Sequence, residues 1–265
     1  MPWVTRGLSD GIVTTRYPRR PDGYDQSYHG AIRVLDSPSP TSDGRGPHLS
    51  ELPALCPTGA ISDDGSRLRV DRGACILCGR CVERYPERFA FDPSVEVASR
   101  ERTGLVVPDA VDDDQAIART RAELAGRVRA LRRSVHIRHV DAGSDGSEEW
   151  EIAALNNPVY DVQRLGIFFT ASPRHADLLL VTGAGTAGMS GPLRTTWEGM
   201  PDPKIVIAAG TDAASGGLVH PTYATRGGVG AIVAVDVWVP GSPPSPFALL
   251  HGILLGLGLL PGGGR

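Results

Sequence analysis

The sequence predicts two modules in series: a small α+β unit organised round cysteines, then an α/β unit on a small open parallel sheet. Two observations predict this. All four cysteines of the 265-residue chain fall between Cys56 and Cys81, and Cys75, Cys78 and Cys81 form a C-x2-C-x2-C run. Beyond residue 135, apolar runs ending in glycine alternate with helical patterns, as buried parallel strands do.

The length suits two modest domains. Charged residues make up 22% and hydrophobic ones 41%, so most of the chain is globular. The 33 glycines and 22 prolines imply many turns and short elements. A formal net charge of −3 gives no reason to expect a nucleic-acid partner.

Residues 1–48 read as an extended arm that lies on a neighbouring protein. Pro18, Pro21, Pro38, Pro40 and Pro47 interrupt any helix. The cysteine module spans 49–108. Ala60-Ile61-Ser62 and Leu68-Arg69-Val70 bracket the turn residues Asp63-Asp64-Gly65, and Phe89-Ala90-Phe91 and Leu105-Val106-Val107 supply its last strands. Residues 109–134 read as a linker helix, with Asp112, Asp113 and Asp114 at its start and Ile117, Leu124, Val128 and Leu131 on one face.

The second module spans 135–265. Its strands are expected at 176–183, 204–210 and 231–241, with one helix around Leu193 to Met200 and a last, exposed one from Pro246 to Leu259. In such sheets the site lies beyond the carboxyl ends of the strands. Those ends are Gly183-Ala184-Gly185-Thr186, Gly210-Thr211-Asp212 and Pro240-Gly241-Ser242. Gly183-Ala184-Gly185 lacks the register and the following acid of a dinucleotide fingerprint.

The cysteine spacing resembles that of bacterial ferredoxins, whose C-x2-C-x2-C-x3-C-P run donates its fourth cysteine to the other cluster. Cys56-Pro57 stands as such a fourth cysteine; its own run would need Leu52, Leu49 and Gly46 as ligands. In the second run the fourth place is Tyr85, before Pro86. These losses remove one cluster completely and leave the other with four ligands, Cys56, Cys75, Cys78 and Cys81. One [4Fe–4S] cluster is the expected cofactor. A four-cysteine zinc site usually separates its two pairs by a dozen or more residues, and disulfides within so crowded a run are disfavoured.

The second half resembles the small subunit of group 4 membrane-bound [NiFe] hydrogenases, the same domain as the 20 kDa-type subunit of complex I. Val140-Asp141-Ala142-Gly143, Asn157-Pro158, Ala171-Ser172-Pro173-Arg174-His175-Ala176-Asp177, Met200-Pro201-Asp202-Pro203-Lys204 and Pro240-Gly241-Ser242-Pro243-Pro244 carry the likeness. The first half is similar to the ferredoxin-like subunit of the same complexes, so the chain resembles a fusion of two electron-transfer subunits. The resemblance implies large and membrane subunits as partners and a position on the inner face of the cell membrane. It implies no span of the chain's own: Phe247 to Leu260 is interrupted by His251 and falls short of the ~20 residues a span needs.

The family holds a proximal cluster on four cysteines, whose places fall here on Ser144, Ser147, Asp212 and Ser242. Hydroxyls and one carboxylate are hard donors where soft thiolates are required. The implied pocket is without its cluster; a hard-cation site is the alternative. Arg174 and His175, by resemblance, face the large-subunit interface, where His175 is a candidate proton donor and otherwise a structural loop residue. The expected function is that of an electron-transfer subunit, the alternative a docking subunit whose cluster staples its fold.

Overall fold

The computed structural model describes residues 2–20, 22–24, 28–35, 52–63, 67–108 and 134–260. The helix expected over 109–134 lies outside the described residues except for Ser134, and so do 36–48 of the expected arm, 49–51 at the start of the cysteine module and the hairpin tip at 64–66.

The N-terminal segment is more regular than its prolines suggest. Pro2–Asp10 is a helix, α1, and Ala31–Val34 is a strand, β1. The cysteine module follows with α2 (Leu52–Leu55), β2 (Ile61–Asp63), β3 (Leu68–Asp71), α3 (Arg80–Arg84), β4 (Phe89–Asp92) and β5 (Val106–Val107). The expected hairpin forms, with Ile61 opposite Val70, and β5 adds to its other side. β4 does not join that sheet. It pairs antiparallel with β1 over the full register from Ala31–Asp92 to Val34–Phe89.

The module's core gathers Ile32, Leu52, Ile61, Leu68, Val70, Tyr85 and Phe89. Leu52 is fully buried and Tyr85 is 2% exposed. Two of the places that the ferredoxin spacing reserves for ligands are thus filled by large apolar side chains in one core. The other two such places, Gly46 and Leu49, lie outside the described residues.

The second module contains β6 (Val135–Asp141), α4 (Ser147–Ala154), β7 (Ile167–Phe169), β8 (Leu178–Thr182), α5 (Ala187–Glu198), β9 (Ile205–Ala209), α6 (Thr211–Ser215), β10 (Val237–Val239) and α7 (Pro246–Gly256). Its five strands are all parallel, in the order β10-β9-β8-β6-β7. Alternation along β8 divides the core. Leu178 and Leu180 face the layer of α7, while Leu179 and Val181 face Leu193 of α5. Helices on both faces explain why β8 and β9 are apolar throughout.

The third expected strand is shorter than its apolar run. Val229–Ala231 is a 3₁₀ turn, and the Asp236 carboxylate accepts from Val206 N–H at 2.8 Å before pairing begins at Val237.

The last helix is buried, not exposed. α7 starts where Ser245 Oγ accepts from Ala248 N–H at 3.2 Å with Pro246 in the first turn, and it is apolar on every side. A helix of that kind must be covered all round. The sheet covers one side; Ala31, Val95 and Val97 join its core from outside, with Tyr17 and Tyr28 packed against them. His251 Nδ1 accepts from Ala98 N–H, and Arg100 reaches the Leu255 carbonyl. Ser99 forms an antiparallel bridge with Trp238 at the sheet edge. The two modules therefore share a core.

Candidate metal centre

The four cysteines line one pocket, with Ile32, Leu55, Ile61, Val70 and Ile76 as its apolar walls. The loop Cys75–Gly79 carries no regular structure and bends through left-handed residues at Leu77 (φ 55°) and Gly79 (φ 74°). A Cβ on Gly79 would also stand 3.1 Å from the Phe91 ring. The bend and the start of α3 turn Cys75, Cys78 and Cys81 toward Cys56. Ala60 N–H donates to Cys56 Sγ at 3.2 Å, the donor that a ligating thiolate needs.

The chemistry of this set fits an iron–sulfur cluster. Burial pushes the Cys75 thiol up to about 12, with the charges of Cys81, Cys56 and Cys78 adding to the rise. Cys81 is raised mainly by burial. Thiolates so crowded in an apolar pocket require a cationic core among them, and its uptake must expel protons. Four cysteines round one apolar pocket suit a multi-iron core, which takes one thiolate at each of four irons. Cys78 is exposed, so a group held there would meet solvent on that side. Opposite, the Cys75 carbonyl accepts from Thr211 Oγ1 at 3.0 Å, joining the cysteine loop to the end of β9. Arg102 strengthens that junction with a bidentate pair to Asp71 at 2.7 Å and a bond to the Ala214 carbonyl at 3.1 Å.

At the strand ends the four expected polar residues make different contacts. Thr211 and Gly241 exchange backbone and side-chain hydrogen bonds, so Asp212 and Ser242 leave adjoining loops; Ser242 is half-buried. Ser147 Oγ donates to Asp145 at 2.6 Å and to Glu148 at 3.2 Å. Ser144 is engaged elsewhere. Its hydroxyl donates to Glu149 at 2.8 Å, and Glu149 also accepts from Thr182, beside His139. Arg174 and His175 form an exposed 3₁₀ turn before β8, at the amino end of that strand and away from the strand-end loops.

Sequence reasoning missed Asp145 and Glu148. They carry the same i, i+3 spacing as Ser144 and Ser147, one residue later. Glu148 is 1% exposed, and burial, with the Asp212 and Asp145 charges, raises its carboxyl to about 7. Asp212 is raised by burial and by Asp145, whereas hydrogen bonds from Ser147 lower Asp145. Gly210 makes room: at φ +97°, a Cβ there would stand 2.5 Å from Glu148 Oε1.

These burials set a pH dependence. Folded Glu148 keeps its proton up to about 7, while the unfolded chain releases it near 4.5, so this stabilisation is present at low pH and lost as pH rises through that window. Folded His251 stays neutral down to about 4 against 6.5 ordinarily, so its contribution is lost as pH falls from 6.5 to 4. The two oppose each other between about pH 4.5 and 6.5. Thermal melts across this range should show stability rising more steeply with pH in Glu148→Gln than in the parent, and less steeply in His251→Gln.

Comparison with known proteins agrees with this division. Residues 146–255 match the family model "NADH ubiquinone oxidoreductase, 20 Kd subunit", and 68–124 match "4Fe-4S single cluster domain", a span that takes in three of the cysteines but not Cys56. Formate hydrogenlyase subunit 7 of Escherichia coli is 44% identical over 161 residues, 61% of each chain. One subunit of the NADH-quinone oxidoreductase of Aquifex aeolicus is 47% identical over 95 residues, 36% of this chain and 52% of that one. The chain thus spans less than two thirds of either. A chain from the structure of the membrane-bound sulfane sulfur reductase, an archaeal respiratory membrane complex, aligns at 31% identity and a TM-score of 0.45, over 52% of this chain and 76% of that one. The probable membrane-bound hydrogenase subunit mbhJ of Pyrococcus furiosus is 40% identical over 139 residues, 52% of this chain and 83% of its own length. The chain belongs to the family of the 20 kDa subunit of NADH ubiquinone oxidoreductase and the hydrogenase small subunits, and it carries a 4Fe-4S single cluster domain ahead of that domain.

Proposed function

We propose that this chain is an electron-transfer subunit of a membrane-associated, hydrogenase-like or complex I-like oxidoreductase, holding one [4Fe–4S] cluster on Cys56, Cys75, Cys78 and Cys81. One observation carries the proposal: every cysteine of the chain lines the same pocket. The cluster would supply one-electron storage. The protein's part would be to bury Cys81, half-bury Cys56 and Cys75, donate Ala60 N–H to Cys56 and leave Cys78 exposed.

The family's proximal cluster has no thiolates here. The side-chain contacts support a register in which Asp145 and Glu148, rather than Ser144 and Ser147, stand with Asp212 and Ser242 in its place. Carboxylates and a hydroxyl do not suit an iron–sulfur core, so no electron step is assigned beyond Cys75.

The partner is a large subunit of the same kind of complex, with membrane subunits beyond it on the inner face of the membrane. Trp150 on α4 and Leu218, Val219 and Tyr223 after α6 are exposed near the strand ends, Tyr223 at 98%, which suits a docking face there. Arg174 and His175 would belong to a separate contact, at the other end of the sheet. No helix among the described residues is long and apolar enough to cross a membrane, so attachment would run through partners.

A second reading, a cluster that only staples the fold, is favoured by the packing of Cys81 into the module core and of the cysteine loop against Thr211. Electron paramagnetic resonance separates the two. Reduction with dithionite should give a signal integrating to about one spin per chain, as a single [4Fe–4S] centre gives. A cluster that stays silent at every potential reached would leave only the staple.

A further inference from the structure

Glu148 is buried, and among the described residues no cation contributes to its electrostatics. The groups that face it are Asp212 on α6, Asp145 in its own turn and the Ser147 hydroxyl, which donates to it. Glu149, on the same helix, is taken up by Ser144, Thr182 and His139. Arg102, at the far end of α6, is bound to Asp71 and the Ala214 carbonyl.

This acid lies one loop away from the cysteines. Its carboxylate packs on Gly210, Gly210 leads into the fully buried Thr211, and Thr211 Oγ1 donates to the Cys75 carbonyl. These two consecutive residues join the sites and Thr211 is wholly buried, so a charge that arrives at the cysteine pocket acts on the carboxylate through protein and is weakly screened.

We infer that Glu148, flanked by Asp212 and Asp145, is a proton-holding site coupled to the electron occupancy of the Cys56–Cys75–Cys78–Cys81 centre. This inference rests on the reading of that pocket as a [4Fe–4S] site. The balance is simple. One electron from a low-potential one-electron donor reduces the core from the 2+ to the 1+ state, and one proton from water converts the Glu148 carboxylate to the neutral acid. Both leave on reoxidation. The place in the fold that serves a second cluster in the family thus holds a proton in this chain. Because Glu148 is raised to about 7, the coupling operates at and above neutral pH, where the oxidised state leaves the carboxylate charged.

The test is a potentiometric titration of the cluster signal in the whole chain, purified anaerobically, with dithionite as reductant, from pH 6 to 9. The midpoint potential of the parent and of Glu198→Gln, a remote exposed control, should fall as pH rises above 7. In Glu148→Gln it should not change with pH. A parent potential independent of pH, or an undiminished slope in Glu148→Gln, overturns the inference while leaving the cluster assignment standing. Should Glu148→Gln fail to fold, infrared difference spectra of the parent decide. A protonated-carboxyl band that appears on reduction and shifts with ¹³C-glutamate supports the coupling, and its absence overturns it. A chain that takes up no cluster overturns both readings.

Discussion

Replacing Phe247 by alanine is expected to cost about 3–5 kcal/mol of folding stability, the range for removing a buried phenylalanine. Phe247 is 1% exposed at the start of α7. Tyr17, Tyr28 and Tyr160 all meet its ring edge-on, with centroids 5.8, 5.9 and 5.1 Å away, and the Tyr28 and Tyr160 hydroxyls are 2.6 Å apart. Each aromatic pair adds about 0.5–1.5 kcal/mol beyond its buried area. The same change should loosen the N-terminal segment, because Tyr17 and Tyr28 lose the surface that holds them. Chemical denaturation measures the first effect, and amide exchange over residues 14–34 the second. Unchanged protection there would mean that the segment is held by something other than α7.

Changing Cys75 to serine should abolish cluster uptake and unfold more than the cysteine module. Binding of a structural metal is also folding free energy, roughly 10 kcal/mol in zinc-finger peptides, and a cluster held by four thiolates acts in the same direction. Without the core, the other three thiols are left facing an apolar pocket. Were the modules independent, only the first would melt. They are not: Val95 and Val97 belong to the core under α7, Ser99 bridges Trp238, and Thr211 holds the cysteine loop itself. Calorimetry should therefore show the second module's transition moving down as well. A second transition at the parent's temperature would show that the shared core contributes little.

The gathering of the cysteines in one pocket was legible because iron–sulfur ligation needs soft donors at short, fixed intervals, and this chain has four cysteines and no others to confuse the pattern. The parallel strands β8 and β9 were legible for a similar reason, since burial on both faces demands an unbroken apolar run. The N-terminal segment was not. β1 has four residues, and its partner β4 lies about sixty positions on, so no local period announces it. Tyr17 and Tyr28 are ordered by a phenylalanine more than two hundred residues away. The exposed-helix expectation for α7 failed because nothing in its own residues says what covers its second side.

Glu148 was illegible for a different reason. In a run of serines, glycine and acids it reads as a solvated turn, and only the bare face of Gly210 and the proximity of Asp212 make it a buried acid. The resemblance carried a two-residue gap between cysteine places, which the sequence reading set on Ser144 and Ser147, one residue before Asp145 and Glu148. Ser144 is committed to Glu149, whereas Asp145 is joined to Ser147 and Glu148 faces Asp212.

The central claim is that this chain holds one cluster where its family resemblance would suggest more. Native mass spectrometry of the anaerobically purified whole chain, with iron and acid-labile sulfide measured on the same sample, tests it most directly. The account predicts a single species heavier than the bare chain by one [4Fe–4S] core, with about four iron and four sulfide per chain. A species carrying two cores, or one stoichiometric zinc with no sulfide, would contradict it.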